Sequence, residues 1–165
     1  MNYKLELADK YVVEDIYKLV QERIAWMDKV GIKQWNVTNY KNRYPKEYYM
    51  KQVEDKTLYV LKQKCDNKVA GAVVCFEEDE RWENSGDIPA YYLHNFVTDI
   101  NIKGAGREIL KLVEKLALSN NKKSVRLDCI RGNEKLNNYY EENGYVLAGE
   151  CQDGPYKGNL REKLL

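Results

Sequence analysis

"DINIKGAGREILKLVEKLA", residues 99 to 117, sets two glycines one residue apart ahead of a segment whose Ile109, Leu110, Val113, Leu116 and Ala117 mark one helix face. The preceding "AYYLHNFVTD" is largely apolar and strand-like, so Gly104 and Gly106 stand where a strand gives way to a helix. Free backbone N–H groups and the positive end of the helix dipole favour an anion there, and phosphate is the natural guest. Taken alone, G-x-G is a weak signal that fits a tight turn needing small residues for steric reasons better than a phosphate site. Two phosphate-binding patterns are excluded. A dinucleotide fingerprint needs another glycine where Ile109 stands, and the Gly-Lys-Ser/Thr of a Walker loop is absent.

Outward from this junction, strand and helix signals alternate. "YKLELA" (3 to 8) alternates as a strand does, and Val13, Ile16, Tyr17, Val20, Ile24 and Met27 then recur at helical spacing up to Gly31. An aromatic, basic stretch follows without a clean period until Pro45, which suits the first turn of a short helix. "TLYVLKQK" and "VAGAVVCFEE" flank the turn "CDNK" and predict a hairpin, and the acidic "EEDERWENSGD" reads as a loop. Beyond the central helix, "SVRLDCI" predicts a strand, "NEKLNNYYEEN" a helix stopped by Gly144, and "YVLAGECQ" with "GNLREKLL" a closing pair of strands. No repeat, low-complexity tract or linker interrupts the order, so one mixed α/β domain is expected over residues 1–165.

Composition narrows the function classes. The 165 residues carry 27 Lys+Arg against 26 Asp+Glu, a net charge of +1, and no global field points to nucleic acid. The longest apolar run, "VAGAVVCF", is too short to span a bilayer, and the start lacks an export signature, so a cytoplasmic protein with no membrane partner is expected. Cys65, Cys75, Cys129 and Cys151 form no C-x-x-C pair, and with one histidine a zinc site has few candidate ligands. Reduced structural thiols and no metal are expected. A homodimer is compatible with this composition.

A second pattern lies downstream. Asn133 opens the helix of "NEKLNNYYEENGY", Leu136 follows three residues later and Tyr140 seven later, before Gly144-Tyr145. Following strand, glycine turn, helix and strand, this spacing resembles the GNAT superfamily of acyl-CoA-dependent N-acetyltransferases, from about Tyr91 to Val146. The resemblance implies a central, mixed, mostly antiparallel sheet with splayed parallel central strands and helices on both faces.

It also implies a site for acetyl-CoA. The family's Gln/Arg-x-x-Gly-x-Gly/Ala loop falls on Asn101, Ile102, Lys103, Gly104, Ala105 and Gly106, with Arg107 following. Asn101 departs from the usual Gln or Arg; its neutral amide can still donate hydrogen bonds, and Lys103 or Arg107 can supply the positive charge instead. The pantetheine arm would bond to backbone near Phe96, Val97 and Thr98, with a donor near Val97 for the oxyanion. Asn133 would contact the arm or order its turn, and Tyr140 would stand beside the departing sulfur as general acid.

Residue chemistry leaves alternatives open. Tyr140 could be one more packing side chain among 14 tyrosines, and Asn133 only a helix cap. His94, the sole histidine, is either a packed, hydrogen-bonded residue or the base that takes the amine proton, with Glu77 and Glu78 as rivals. Trp35, Tyr40, Tyr44, Tyr48 and Tyr49, with the acidic 77–87 loop, either wall a cationic amine site or pack helices and solubilise the surface. The expected activity is acetyl transfer to a primary amine of a small molecule or peptide. A non-catalytic acyl-CoA-binding or sensing module is the alternative, and an unrelated phosphate-binding enzyme a third.

Overall fold

A computed structural model describes residues 2–165. Seven strands form one sheet in the order β1-β2-β3-β4-β5-β7-β6: β1 is Tyr3–Leu7, β2 Leu58–Gln63, β3 Val69–Phe76, β4 Ala90–Thr98, β5 Ser124–Ile130, β6 Val146–Asp153 and β7 Tyr156–Leu164. The helices are α1 (Val13–Val30), α2 (Tyr40–Arg43), α3 (Lys46–Glu54), α4 (Ala105–Ser119) and α5 (Glu134–Glu142). The chain divides into two compact units. One takes the chain up to Val74 together with Asn95–Leu112, and the other takes Cys75–His94 and Val113–Leu165.

In the first unit β1, β2 and β3 pair antiparallel in sequence, Tyr3 opposite Gln63 and Leu58 opposite Val74. Leu58, Val60, Leu61, Ala70, Ala72, Val73 and Val74 are buried, as are Val13, Ile16, Leu19, Val20, Ile24 and Met27 of α1. The helical spacing read from the sequence is therefore the buried stripe of α1, although Tyr17 sits at its edge and Leu19 takes its place in the core. Each such aliphatic side chain contributes roughly 1.5–3 kcal/mol by leaving water. Pro45 stands at the N-cap position of α3, one residue ahead of the first turn the sequence suggests for it, and the turn before it is also helical. Asn39 enters α2 in the left-handed conformation, which periodicity cannot reveal.

In the second unit β5 pairs antiparallel with β7 and β7 with β6, while the first half of β4 runs parallel to β5, Ala90 opposite Ser124 through Leu93 opposite Leu127. The acidic segment expected as a solvated loop holds a 3-10 turn over Glu80–Trp82, and Trp82 is buried beside Tyr92. Arg126, itself buried, fastens that segment. Its guanidinium donates to Glu162, the Tyr92 hydroxyl and the Ser85 carbonyl, so the buried charge is fully paired. All four cysteines are free, and burial pushes the Cys129 thiol up to about 11.

Candidate active site

The first unit holds the glycine junction. Beyond β4, Asp99 turns the chain: its own N–H donates to the Ala70 carbonyl, and its carboxylate accepts from the Asn101 N–H at 2.8 Å and pairs with Lys68 at 3.1 Å. Burial raises the Asp99 carboxyl, but these hydrogen bonds and the Lys68 charge outweigh it and hold the group below the usual carboxylate range. Gly104 takes φ of +84°, with nothing within 4 Å of where a Cβ would stand, and α4 starts at the next residue. The Glu108 N–H donates to the Gly104 carbonyl at 3.1 Å, so the N–H groups of residues 105 to 107 lie ahead of the helix ladder. Lys103 and Arg107 flank them, both exposed.

The second half of β4 is braced from within the same unit. Asn95 sits at φ of +51° in the middle of the strand, its side-chain oxygen accepting from the Tyr48 hydroxyl and its amide donating to the Tyr40 hydroxyl, each at 2.8 Å. Two hydrogen bonds thus hold a backbone conformation that asparagine tolerates better than most residues. Trp35 stacks on Tyr40, and Tyr40, Tyr44, Tyr48 and Tyr49 follow in tilted and edge-on contacts, with ring centroids 4.2 to 5.3 Å apart along the series, so these rings pack on one another and fix Asn95. Thr98 accepts two bonds from Arg23 at 3.0 Å. Phe96 and Thr98 are half-buried and Val97 is buried.

The second unit holds His94, with its ring Nε2 2.7 Å from Asp79 Oδ2. The other Asp79 oxygen accepts the Arg81 N–H at 2.9 Å and caps the 3-10 turn. Burial raises the Asp79 carboxyl, while the bonds from His94 and Arg81 outweigh burial and hold it below its ordinary value. Arg81 reaches both oxygens of Asp128 at 3.0 Å, and the Tyr156 hydroxyl donates to Asp128 at 2.6 Å. Both Asp128 oxygens are engaged, so this group is a salt-bridged network rather than an open cation site. Of the rival bases, Glu77 pairs with Lys122 at 3.0 Å and Glu78 is exposed. Asp79, Arg81, Asp128 and Tyr156 escape a reading of the sequence, because an acid inside "EEDE" looks like a solvated surface.

On α5, Asn133 caps the helix through the Leu136 N–H at 3.0 Å. Nothing in the sequence marks Asn137, yet it anchors the helix. Its amide donates to the carbonyls of Ile130 and Asn133, and its oxygen accepts from Asn159 and Arg161. Tyr140, one turn on, is buried, edge-on to Tyr139 and Tyr145, and its hydroxyl has no hydrogen-bond partner among the described residues. Burial pushes the phenol well above its usual range, so it stays protonated at neutral pH. No helix among the described residues is long and apolar enough to cross a membrane.

A model of the acetyltransferase (GNAT) family matches residues 22–145. The chain is similar in fold to a GNAT acetyltransferase of Listeria monocytogenes, with 22% identity, 99% of this chain and 95% of that one covered, and a TM-score of 0.80. It is similar also to the PaiA N-acetyltransferase of Thermoplasma acidophilum, solved with coenzyme A, at 16% identity, with both chains fully covered and a TM-score of 0.76. A spermidine N-acetyltransferase SpeG chimera from Vibrio cholerae and hSSAT gives 17% identity, 99% and 96% coverage and a TM-score of 0.65. At these identities the likeness is one of fold. No curated protein matches the chain.

Proposed function

The chain belongs to the GNAT acetyltransferase family, and on that footing we propose that it moves the acetyl group of acetyl-CoA to a primary amine of a small molecule or peptide, by direct attack in a ternary complex. When bound, the cofactor supplies an acetyl thioester whose carbonyl an amine can attack. The residues suit that ligand. Gly104 leaves the approach to α4 open, the N–H groups of residues 105 to 107 precede the helix ladder, and Lys103 and Arg107 add positive charge. Asn101 commits its N–H to Asp99, so charge on the phosphates falls to those two side chains. Phe96, Val97 and Thr98 offer strand backbone at the end of β4, just ahead of the glycine turn. Asn133 orders the start of the helix that carries Tyr140.

The proton steps belong to two side chains. As the C–N bond forms, the attacking nitrogen gains positive charge and releases a proton to His94. Tyr140 would donate its hydroxyl proton to the departing sulfur and recover a proton from solvent. The observation that carries this reading is Tyr140, a buried phenol, protonated at neutral pH, whose hydroxyl has no partner among the described residues.

Calorimetry with acetyl-CoA and thiol release with putrescine, glucosamine and alaninamide test the reading. The spermidine N-acetyltransferase neighbour makes a polyamine the first acceptor to try. Tight binding with amine-dependent release is expected, and Gly106→Val should lose binding while melting close to the wild type. Binding without release from any amine would leave a non-catalytic acyl-CoA module instead.

A further inference from the structure

Asp79 accepts two hydrogen bonds that differ in kind. The Arg81 backbone N–H can only donate, so it must face an acceptor oxygen, and it does so at 2.9 Å on Oδ1. His94 Nε2 stands 2.7 Å from Oδ2. A carboxylate held below its ordinary range is ionised at neutral pH and has no proton to offer. Nε2 must therefore be the donor, and the neutral imidazole keeps its lone pair on Nδ1, which has no partner among the described residues.

We propose that Asp79 is a positioning residue that fixes His94 in the Nε2–H tautomer, so that Nδ1 is the atom that takes the proton from the attacking amine. The inference rests on the acyl-transfer reading for its use, and on the Asp79 geometry for its content. The nitrogen loses its proton to Nδ1 as the C–N bond forms, giving an imidazolium that later releases the proton to solvent. Two carboxylates stand beside the ring. Asp79 lies on the turn after β3 and Asp128 on β5, with a carboxylate oxygen of each and a His94 ring nitrogen all within 4.8 Å of one another. Arg81 offsets the second of these charges through its bonds to Asp128, and Phe76 covers the ring at a centroid distance of 5.2 Å. The ring is 23% exposed, so solvent reaches it.

The decisive variant is Asp79→Asn. Asparagine has one acceptor oxygen, and the Arg81 N–H must take it, so the NH2 group turns to His94 Nε2 and forces the proton onto Nδ1. The change is isosteric and asparagine remains a good N-cap, so the turn should persist. Because the chain has one histidine, long-range 1H–15N spectra of the full chain report its tautomer without assignment.

The wild type should show Nε2–H and the Asn variant Nδ1–H. Turnover of the variant should fall about 10²-fold or more, as far as in His94→Ala, with acetyl-CoA affinity unchanged. An Nδ1–H wild type, or wild-type turnover in an Asn variant whose tautomer has flipped, would overturn the proposal while leaving acyl transfer intact. A wild type that acetylates none of putrescine, glucosamine or alaninamide would instead overturn the acyl-transfer reading and the catalytic use of His94 with it.

Discussion

Arg161 on β7 donates through Nε to Asn137 Oδ1 on α5 at 3.1 Å, both side chains buried, and through its terminal nitrogen to the Tyr145 carbonyl at 3.0 Å. Asn159 shares the same Asn137 oxygen at 2.9 Å, so one asparagine ties the helix that carries Tyr140 to the strand beside it. Asn137→Ala removes the acceptor for Arg161 and Asn159 and the donor to two carbonyls. Leaving several buried groups unsatisfied should cost about 2–4 kcal/mol, read by urea unfolding. A loss below about 0.5 kcal/mol would show that water replaces the amide without penalty.

Gly71 on β3 passes under the end of β4. A Cβ there would stand 2.7 Å from the Val97 carbonyl oxygen and 2.8 Å from the Ile109 side chain. Ile109 can turn aside, but the Val97 oxygen is backbone and moves only with its strand. Gly71→Ala should therefore destabilise by about 1–3 kcal/mol and weaken acetyl-CoA binding, because Val97 and Thr98 carry the proposed pantetheine contacts. Unaltered stability and affinity together would show that this close approach does not hold the end of β4 in place.

The order of strands and helices was legible because each element has its own period. Alternation marks β1, the 3.6-residue stripe marks α1 and α4, and Gly144 ends α5. The glycine junction and the Asn133-to-Tyr140 spacing are local in sequence, so they too could be read. What could not be read is assembled from separate elements. Arg81 and Asp128 are 47 residues apart and Asp128 and Tyr156 are 28 apart, so no window contains their network. Asp79 hides among neighbouring acids, and the left-handed Asn95 inside an apolar strand leaves no mark of its own. The tyrosines between residues 40 and 49 carry no clean period because they pack mainly on one another and on Asn95.

Acid should undo what Asp99 contributes to stability. Its carboxyl is held below the ordinary value in the folded chain, so as pH falls the unfolded chain binds that proton first. The stability Asp99 contributes is complete above about pH 4 and is lost as pH falls through the lower, folded value. The melting temperature of the wild type should drop more steeply below about pH 4 than that of Asp99→Asn, which has no carboxyl to protonate. Parallel curves in thermal unfolding across that range would mean that the Asn101 N–H and Lys68 do not hold the group down.

Amine-dependent thiol release by Tyr140→Phe, measured beside the wild type, decides whether a phenol protonates the departing sulfur. The phenylalanine keeps the ring contacts with Tyr139 and Tyr145 and removes only a hydroxyl that no described residue engages. Folding and acetyl-CoA affinity should stay near wild type, while turnover on an accepted amine should fall about 10²-fold or more for want of a proton donor to sulfur. Wild-type turnover in the phenylalanine variant would contradict that role, making Tyr140 a packing residue and leaving the thiolate to solvent.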